Sequence, residues 1–415
     1  MSSQFGGSLA LAGALLLAAC GAQAESISLP QALQRSLENN PGLRAQRATL
    51  SAVQSQADLD ALAPPLTLSA DLENLAGSGS LSGVRSAEST LRLGRVIELG
   101  GKREARIALG STQLAEQRNS IRQAHLDLAL QVTQRYIGLL EAQAHRALAQ
   151  GEVQLAQETA AAVRQRVQAG IAPELDLALS EIAVARADID LEHAEHELAS
   201  SQFALAALWG ESELVDIEAN ATLLDLPDAP KFADLAQRLL QTPEADAFTL
   251  QARRLEASRR LAESSARPDL SLNLGVKRLE ALDDQALVLS FAMPFGSRDR
   301  ASHSIAKTTA ELEAVAANSA AAQLEARQSL YGRVQELRHA RTEFEALTER
   351  MIPAAERGLE LTRAGYEAAR YSWLHLNQAQ SSLLQLRKER LAAASRYHTL
   401  LAEIERSTAA AGARP

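Results

Sequence analysis

One stretch of the chain carries side chains whose types and spacing could bind a metal. In Glu192-His193-Ala194-Glu195-His196-Glu197 the two imidazoles stand three residues apart, and Glu197 stands four from His193. On a helix those offsets share a face. Histidine nitrogens and glutamate oxygens are ligands for zinc-like cations, so His193, His196 and Glu197 form a candidate metal set. The same string reads equally as a solvated, glutamate-rich helix surface. Phosphate-binding loops, Gly-x-Ser-x-Gly elbows and His-Glu-x-x-His helices are all missing from the sequence. The chain therefore reads as a non-enzyme that needs no cofactor.

The other reactive group is Cys20, the single cysteine. It follows Leu17-Ala18-Ala19 in an uncharged leader whose apolar run, Leu9 to Ala19, is too short to span a bilayer. Two exits are written here. Ala22-Gln23-Ala24 is a small-x-small cleavage site that ends a signal peptide over 1–24. Leu17-Ala18-Ala19-Cys20 has the form of a bacterial lipoprotein box, which ends the leader at 19 and lipidates Cys20. Either exit takes the protein out of the cytoplasm. The formal net charge of −9 then belongs wholly to the remainder and argues against nucleic acid as a partner. Aromatic residues make up only 3% of the chain, so a large mixed core is not expected.

The elements that position these groups are dominated by one run from Gly101 to Gln168. It is rich in Ala, Leu, Gln, Glu and Arg, with no proline between Pro65 and Pro173. Ile121, His125, Leu128, Val132, Tyr136 and Leu139 recur at steps of four and three, tracing one helical face. At a rise of about 1.5 Å per residue such a helix reaches roughly 100 Å. It is stable only if its stripe is buried along its length, as in a bundle or coiled coil. The tip Gly170-Ile171-Ala172-Pro173 turns the chain, and a return helix runs from Glu174 to about Leu208.

The sequence then repeats itself. In the first half (25–210), a helix opens at Ser28-Leu29-Pro30, breaks at Asn40-Pro41 and ends before Pro64-Pro65. Leu66, Leu68, Ala70 and Leu72 alternate with polar residues, as do Leu91, Leu93 and Ile97, so two strands precede the long helix. After a linker (211–230), the second half (231–406) echoes this order. Thr242-Pro243 opens a helix; Leu270, Leu272, Leu274 and Val276 mark a third strand, and Leu287, Leu289 and Phe291 a fourth. Pro294-Phe295-Gly296 stands where Gly100-Gly101 stood. A second long helix follows, with Pro353 kinking or splitting it, then the tip Arg370-Tyr371-Ser372 and a return helix to about Glu405. Residues 407–415 read as a disordered tail.

Strands of this length with one apolar face suit a tilted bilayer crossing. Four cannot close a barrel, and open edges are not tolerated in lipid, so closure demands several copies of the chain.

Nearly the whole mature chain resembles the TolC-type outer-membrane efflux proteins. The resemblance rests on Leu29-Pro30-Gln31-Ala32-Leu33 with Asn40-Pro41, and on the two-fold helix-strand-strand-helix-helix repeat. Asp71-Leu72-Glu73-Asn74, Glu98-Leu99-Gly100-Gly101-Lys102-Arg103 and Arg267-Pro268-Asp269-Leu270 look like the branch serving cobalt–zinc–cadmium pumps. What the resemblance implies is a mainly α fold with a small β part. Three chains would build a twelve-stranded outer-membrane barrel and a periplasmic α-barrel, docked to a periplasmic adaptor and an inner-membrane, proton-driven pump of the RND type. It also implies a gate at the start of each return helix. Aligning Leu175-Asp176-Leu177 with Leu374-His375-Leu376 places Asp176 and His375 there, with Gln378 one turn on; His375 and Gln378 depart from the acidic residues the family often carries. The tips Gly170-Ile171-Ala172-Pro173 and Arg370-Tyr371-Ser372 would dock the adaptor.

Three readings follow. A passive efflux duct, for divalent metal cations or for organic drugs, uses every element. A non-conducting coiled-coil envelope scaffold uses the helices and leaves the strands idle. An enzyme has no residues to carry it.

Overall fold

The computed structural model describes residues 25–410. The leader, with both cleavage readings and Cys20, lies outside them, as does the end of the tail. The two-fold order is present. The first half runs α1 (Leu29–Asn39), α2 (Pro41–Asp60), β2 (Thr67–Glu73), β3 (Glu88–Ile97), α3 (Lys102–Gln168) and α4 (Glu174–Ala206). The second runs α5 (Phe232–Arg238), α6 (Pro243–Ser264), β5 (Leu270–Leu279), β6 (Asp284–Ala292), α7 (Ser297–Ala346), α8 (Ile352–Glu367) and α9 (Trp373–Thr408).

Local chemistry sets the boundaries. Asn40 ends α1 and starts α2: its side-chain oxygen accepts from Leu43 N at 3.1 Å, while its amide donates to Leu208 O at 2.8 Å. Thr242 does the same for α6, accepting from Ala245 N at 3.3 Å. Each is followed by proline at the first helical position, where no amide donor is needed. The two strand-to-helix corners match as well. Gly101 caps α3 at φ 75° and Gly296 caps α7 at φ 82°, a left-handed backbone that favours glycine.

The α3 helix is 67 residues long. Its expected stripe is the buried one: Leu128, Val132, Tyr136 and Leu139 enter one core with Leu205, Ile217 and Ala394. A second core joins Leu330, Val334 and Leu337 of α7 to Tyr397, Leu400 and Ile404 of α9. Pro353 interrupts the second long run through a π-helical turn, Leu347–Met351, which absorbs the lost backbone bond without ending the rod.

Two features were not legible in the sequence. The linker holds a strand, β4 (Ile217–Ala219), paired in parallel with β1 (Glu25–Ile27). Tyr136 fastens this pair from the middle of α3, its hydroxyl donating to Ile27 O at 3.1 Å. Three-residue strands are too short to show a period, so no alternation marks them. The tail also begins later than expected. Helix α9 continues through Ser407 to Thr408, whose buried hydroxyl donates to Ile404 O at 2.7 Å.

Among the described residues no helix is long and apolar enough to cross a membrane. The four-stranded sheet, by contrast, exposes leucines on every strand.

Candidate channel wall and hairpin tips

The sheet is four antiparallel strands in the order β2-β3-β5-β6, so the two halves of the chain meet at its centre and β2 and β6 are its edges. Directly paired residues share a face. One row is Leu68, Leu93, Leu274 and Leu289; the next is Ala70, Leu91, Val276 and Leu287. These leucines are bare: Leu68 is 72% exposed and Leu289 73%. Phe291 adds an exposed ring to the same face, beside Leu272 and Arg95. A contiguous apolar face of this size on a water-soluble sheet would be costly, and in lipid it is favourable.

The opposite face is polar. Its inner rows are uncharged, with Thr67, Gly94, Asn273 and Ser290 in register. Charge appears towards the outer hairpins. Arg92 Nη1 lies 2.6 Å from Asp71 Oδ2. Lys277 bridges Glu73, at 3.3 Å, and Glu88. Two glycines let long side chains lie flat on this wall: a Cβ on Gly94 would fall 2.4 Å from Asn273 Oδ1, and one on Gly275 would fall 2.8 Å from Arg92 Cγ.

Where the sheet meets the helices, the family-like motifs make a joint. Glu98 pairs with Arg106, which also donates to Asp60 O at 2.6 Å. Arg103 donates to Ala61 O at 2.6 Å, and Lys102 reaches Asp269 at 2.6 Å. These residues hold strand to helix.

At the far end the two hairpin tips have the same backbone. Ile171 N donates to Arg166 O at 2.8 Å and Gly170 N to Val167 O at 2.9 Å; Arg370 N donates to Gly365 O at 2.8 Å and Ala369 N to Tyr366 O at 3.0 Å. Both are Schellman turns. One uses Gly170 at φ 73°, the other Ala369 at φ 56°. The alignment of Asp176 with His375 also holds in the backbone, since Asp176 N donates to Pro173 O at 3.0 Å and His375 N to Ser372 O at 3.1 Å.

The tips pack on each other through Val163, Tyr366, Trp373 and Leu376, with Leu177 beside them. Arg166 completes this contact from the first hairpin. Its guanidinium lies 4.8 Å from the centre of the Tyr366 ring and donates to Glu367 O at 3.2 Å. Burial pushes the Tyr366 phenol up, with Arg166 opposing. Sequence spacing could not find Arg166, because it is one arginine among many on an exposed-looking helix. His375 and Gln378 are exposed and Asp176 half-exposed. The His375 ring nitrogen Nδ1 lies 2.9 Å from Ser372 Oγ, and its ring centre lies 5.7 Å from that of Tyr371. Of the tip residues, Gly170, Ile171, Pro173, Arg370, Tyr371 and Ser372 are exposed and Ala172 is half-exposed.

The candidate metal set does not assemble. His193 Nε2 lies 3.3 Å from Glu197 Oε1 on an exposed helix surface. Among the described residues no group of three or more His, Cys, Asp or Glu side chains is placed to hold a metal ion. The i, i+4 spacing brought two partners together and nothing supplied a third.

Comparison with known proteins agrees with this geometry. Residues 32–211 match the outer membrane efflux protein family. The cobalt-zinc-cadmium resistance protein CzcC of Cupriavidus metallidurans is 29% identical over 304 residues, 72% of each chain. The nickel and cobalt resistance protein CnrC of the same organism is 27% identical over 272 residues, 64% of this chain and 62% of that one. The crystal structure of CusC, described with its transmembrane channel formation, superposes with a TM-score of 0.75 at 17% identity, covering 92% of this chain and 91% of that one. The fold is therefore the TolC-like one over almost the full length, with both repeats included. The chain is thus similar to the outer membrane efflux proteins, through the family match over residues 32–211 and through the shared fold.

Proposed function

We propose that the protein is the outer-membrane exit duct of a tripartite efflux system that carries divalent heavy-metal cations. The observation that carries this reading is the sheet: one face bare and apolar, the other polar, and both edges, β2 and β6, open. An open edge is intolerable in lipid and is satisfied by another copy of the same strands. Three chains supply twelve strands, and the hairpins α3–α4 and α7–α9 extend the bore into the periplasm. A periplasmic adaptor would meet the tips at 170–173 and 370–372, and an RND-type proton-driven pump would deliver the cargo.

The metal assignment is supported by the likeness to CzcC and CnrC, whose names describe resistance to cobalt, zinc, cadmium and nickel. Cations would pass by electrostatic attraction along an acidic duct and need no fixed binding site. Deleting the gene should sensitise cells to zinc, cadmium, cobalt or nickel, and a plasmid copy should restore tolerance. Unchanged metal tolerance with new sensitivity to organic drugs would reassign the cargo.

At the tips, Asp176, His375 and Gln378 would line the periplasmic entrance. Their test is conductance of Asp176→Ala and His375→Ala in planar bilayers. If neither substitution alters conductance or its pH dependence, the entrance is gated elsewhere and the tips serve docking alone. For the leader, Cys20 would become a lipidated N-terminus anchoring the protein alongside its barrel; an intact mass that begins at Glu25 would show the other cleavage instead.

A further inference from the structure

On the polar face of the sheet, the charged groups are unequal in number and unequal in freedom. Asp71, Glu73, Glu88 and Asp284 share this face with only two cations, Arg92 and Lys277. Both cations are tied down. Lys277 lies between Glu73 and Glu88. Arg92 is held by Asp71 from the edge strand at 2.6 Å, and its aliphatic stem lies over Gly275 on the other side.

That second contact is the informative one. A Cβ at position 275 would come within 2.5 Å of Leu91 O and 2.8 Å of Arg92 Cγ, so only glycine leaves room for the arginine to lie along the wall. Arg92 Nε is buried without a hydrogen-bond partner. The guanidinium thus gives up one donor bond to lie flat, and an arginine free to choose its position would turn that donor to water.

We propose that Arg92 is a specificity-determining residue of the duct: pinned by Asp71 onto Gly275, it is kept out of the bore, so that passing divalent cations meet a wall of net negative charge. Released, the same guanidinium would project from each chain into the lumen and repel them. Asp71 is the positioning residue and Gly275 the cradle. This rests on the duct reading above and adds which residues set its charge preference.

The test is the reversal potential of the purified protein in planar bilayers under a salt gradient, for wild type, Asp71→Asn, Arg92→Ser and the double variant. Wild type should prefer cations. Asp71→Asn should lower the cation-to-anion permeability ratio by about fivefold, the effect of one unit charge at about 4 Å in water. Arg92→Ser should keep or raise the cation preference. The double variant should return to near the wild-type ratio, which a merely loosened barrel would not do. If Asp71→Asn conducts with the wild-type ratio, or if the double variant stays as impaired as Asp71→Asn, the proposal is overturned. A wild-type protein that opens no conducting pore would instead overturn the duct reading itself.

Discussion

Lys102 Nζ lies 2.6 Å from Asp269 Oδ1, across 167 residues of chain. The contact ties the first turn of α3 to the residue just before β5, so it locks the strand-to-helix corner of one half to the start of the other half's sheet. Asp269 also accepts from Leu99 N at 3.3 Å. The lysine is only 12% exposed and the aspartate 34%, so the pair is partly shielded from water.

Removing one partner leaves the other charge shielded and unpaired. Asp269→Ala should therefore cost about 1.5–3 kcal/mol, the range for hydrogen bonds to charged groups. Lys102→Met/Asp269→Ala should cost less than Asp269→Ala alone, because no charge is then stranded. The temperature at which the assembled protein dissociates in detergent checks both. Equal losses for the single and double variants would show that the pair carries no coupling.

The long elements were legible because their signals are repeated many times over. One face of α3 could be read from Leu128 to Leu139, and each strand from three or four alternating apolar residues. The Gly101 and Gly296 corners were legible because only a glycine passes easily through a left-handed turn. Short or singular features were not. The β1–β4 pair has three residues per strand, and the Arg166–Tyr366 contact joins positions 200 residues apart with no local pattern to announce it. The His193–His196 reading failed for the opposite reason. A helical spacing guarantees that two side chains share a face, but a metal needs a third ligand from elsewhere in the fold, and among the described residues none arrives.

The bare apolar face gives a second prediction. Leu274 stands in the row Leu68, Leu93, Leu274 and Leu289. Leu274→Arg would place a guanidinium against the acyl chains and should cost roughly 2–4 kcal/mol near the bilayer centre. Asn273→Ser, one residue away on the polar face, should be nearly neutral. Folding yield into lipid vesicles separates them, and equal yields would mean that the faces have been assigned the wrong way round.

The tips differ in strain. Ala369 holds a φ of 56° that Gly170 holds at 73° without penalty. Left-handed backbone costs a non-glycine residue about 1–2 kcal/mol. Ala369→Gly should slow hydrogen exchange at the Arg370 amide, and Gly170→Ala should speed it at Ile171. The reverse pattern would contradict the Schellman geometry at both turns.

A fourth prediction concerns pH. Glu152 of α3 faces a groove of about 280 Å³ between the hairpins, with Lys388 of α9 at 3.9 Å; Asp190 of α4 competes for that lysine, also at 3.9 Å. Arg387, on the same groove, is engaged by Glu356 of α8 at 2.9 Å. Burial pushes the Glu152 carboxyl up, Lys388 pulls it down less strongly, and Asp190 pushes it up further. A carboxyl that titrates higher in the folded state favours folding in its protonated form. That contribution is complete below the ordinary glutamate pKa of about 4.3 and is lost as pH rises through the folded value. Glu152→Gln should therefore raise the melting temperature at pH 7 and leave it nearly unchanged at pH 4. A variant less stable than wild type at pH 7 would mean that Lys388 outweighs burial.

The native mass of the protein extracted from membranes in mild detergent tests most directly whether copies of this chain close one barrel. The proposed twelve-stranded duct predicts an assembly of three times the chain mass, stable to dilution and lost when the open edge strand β2 is interrupted, as by Ser69→Pro. A stable monomer, or a chain that stays in water without detergent, would contradict it.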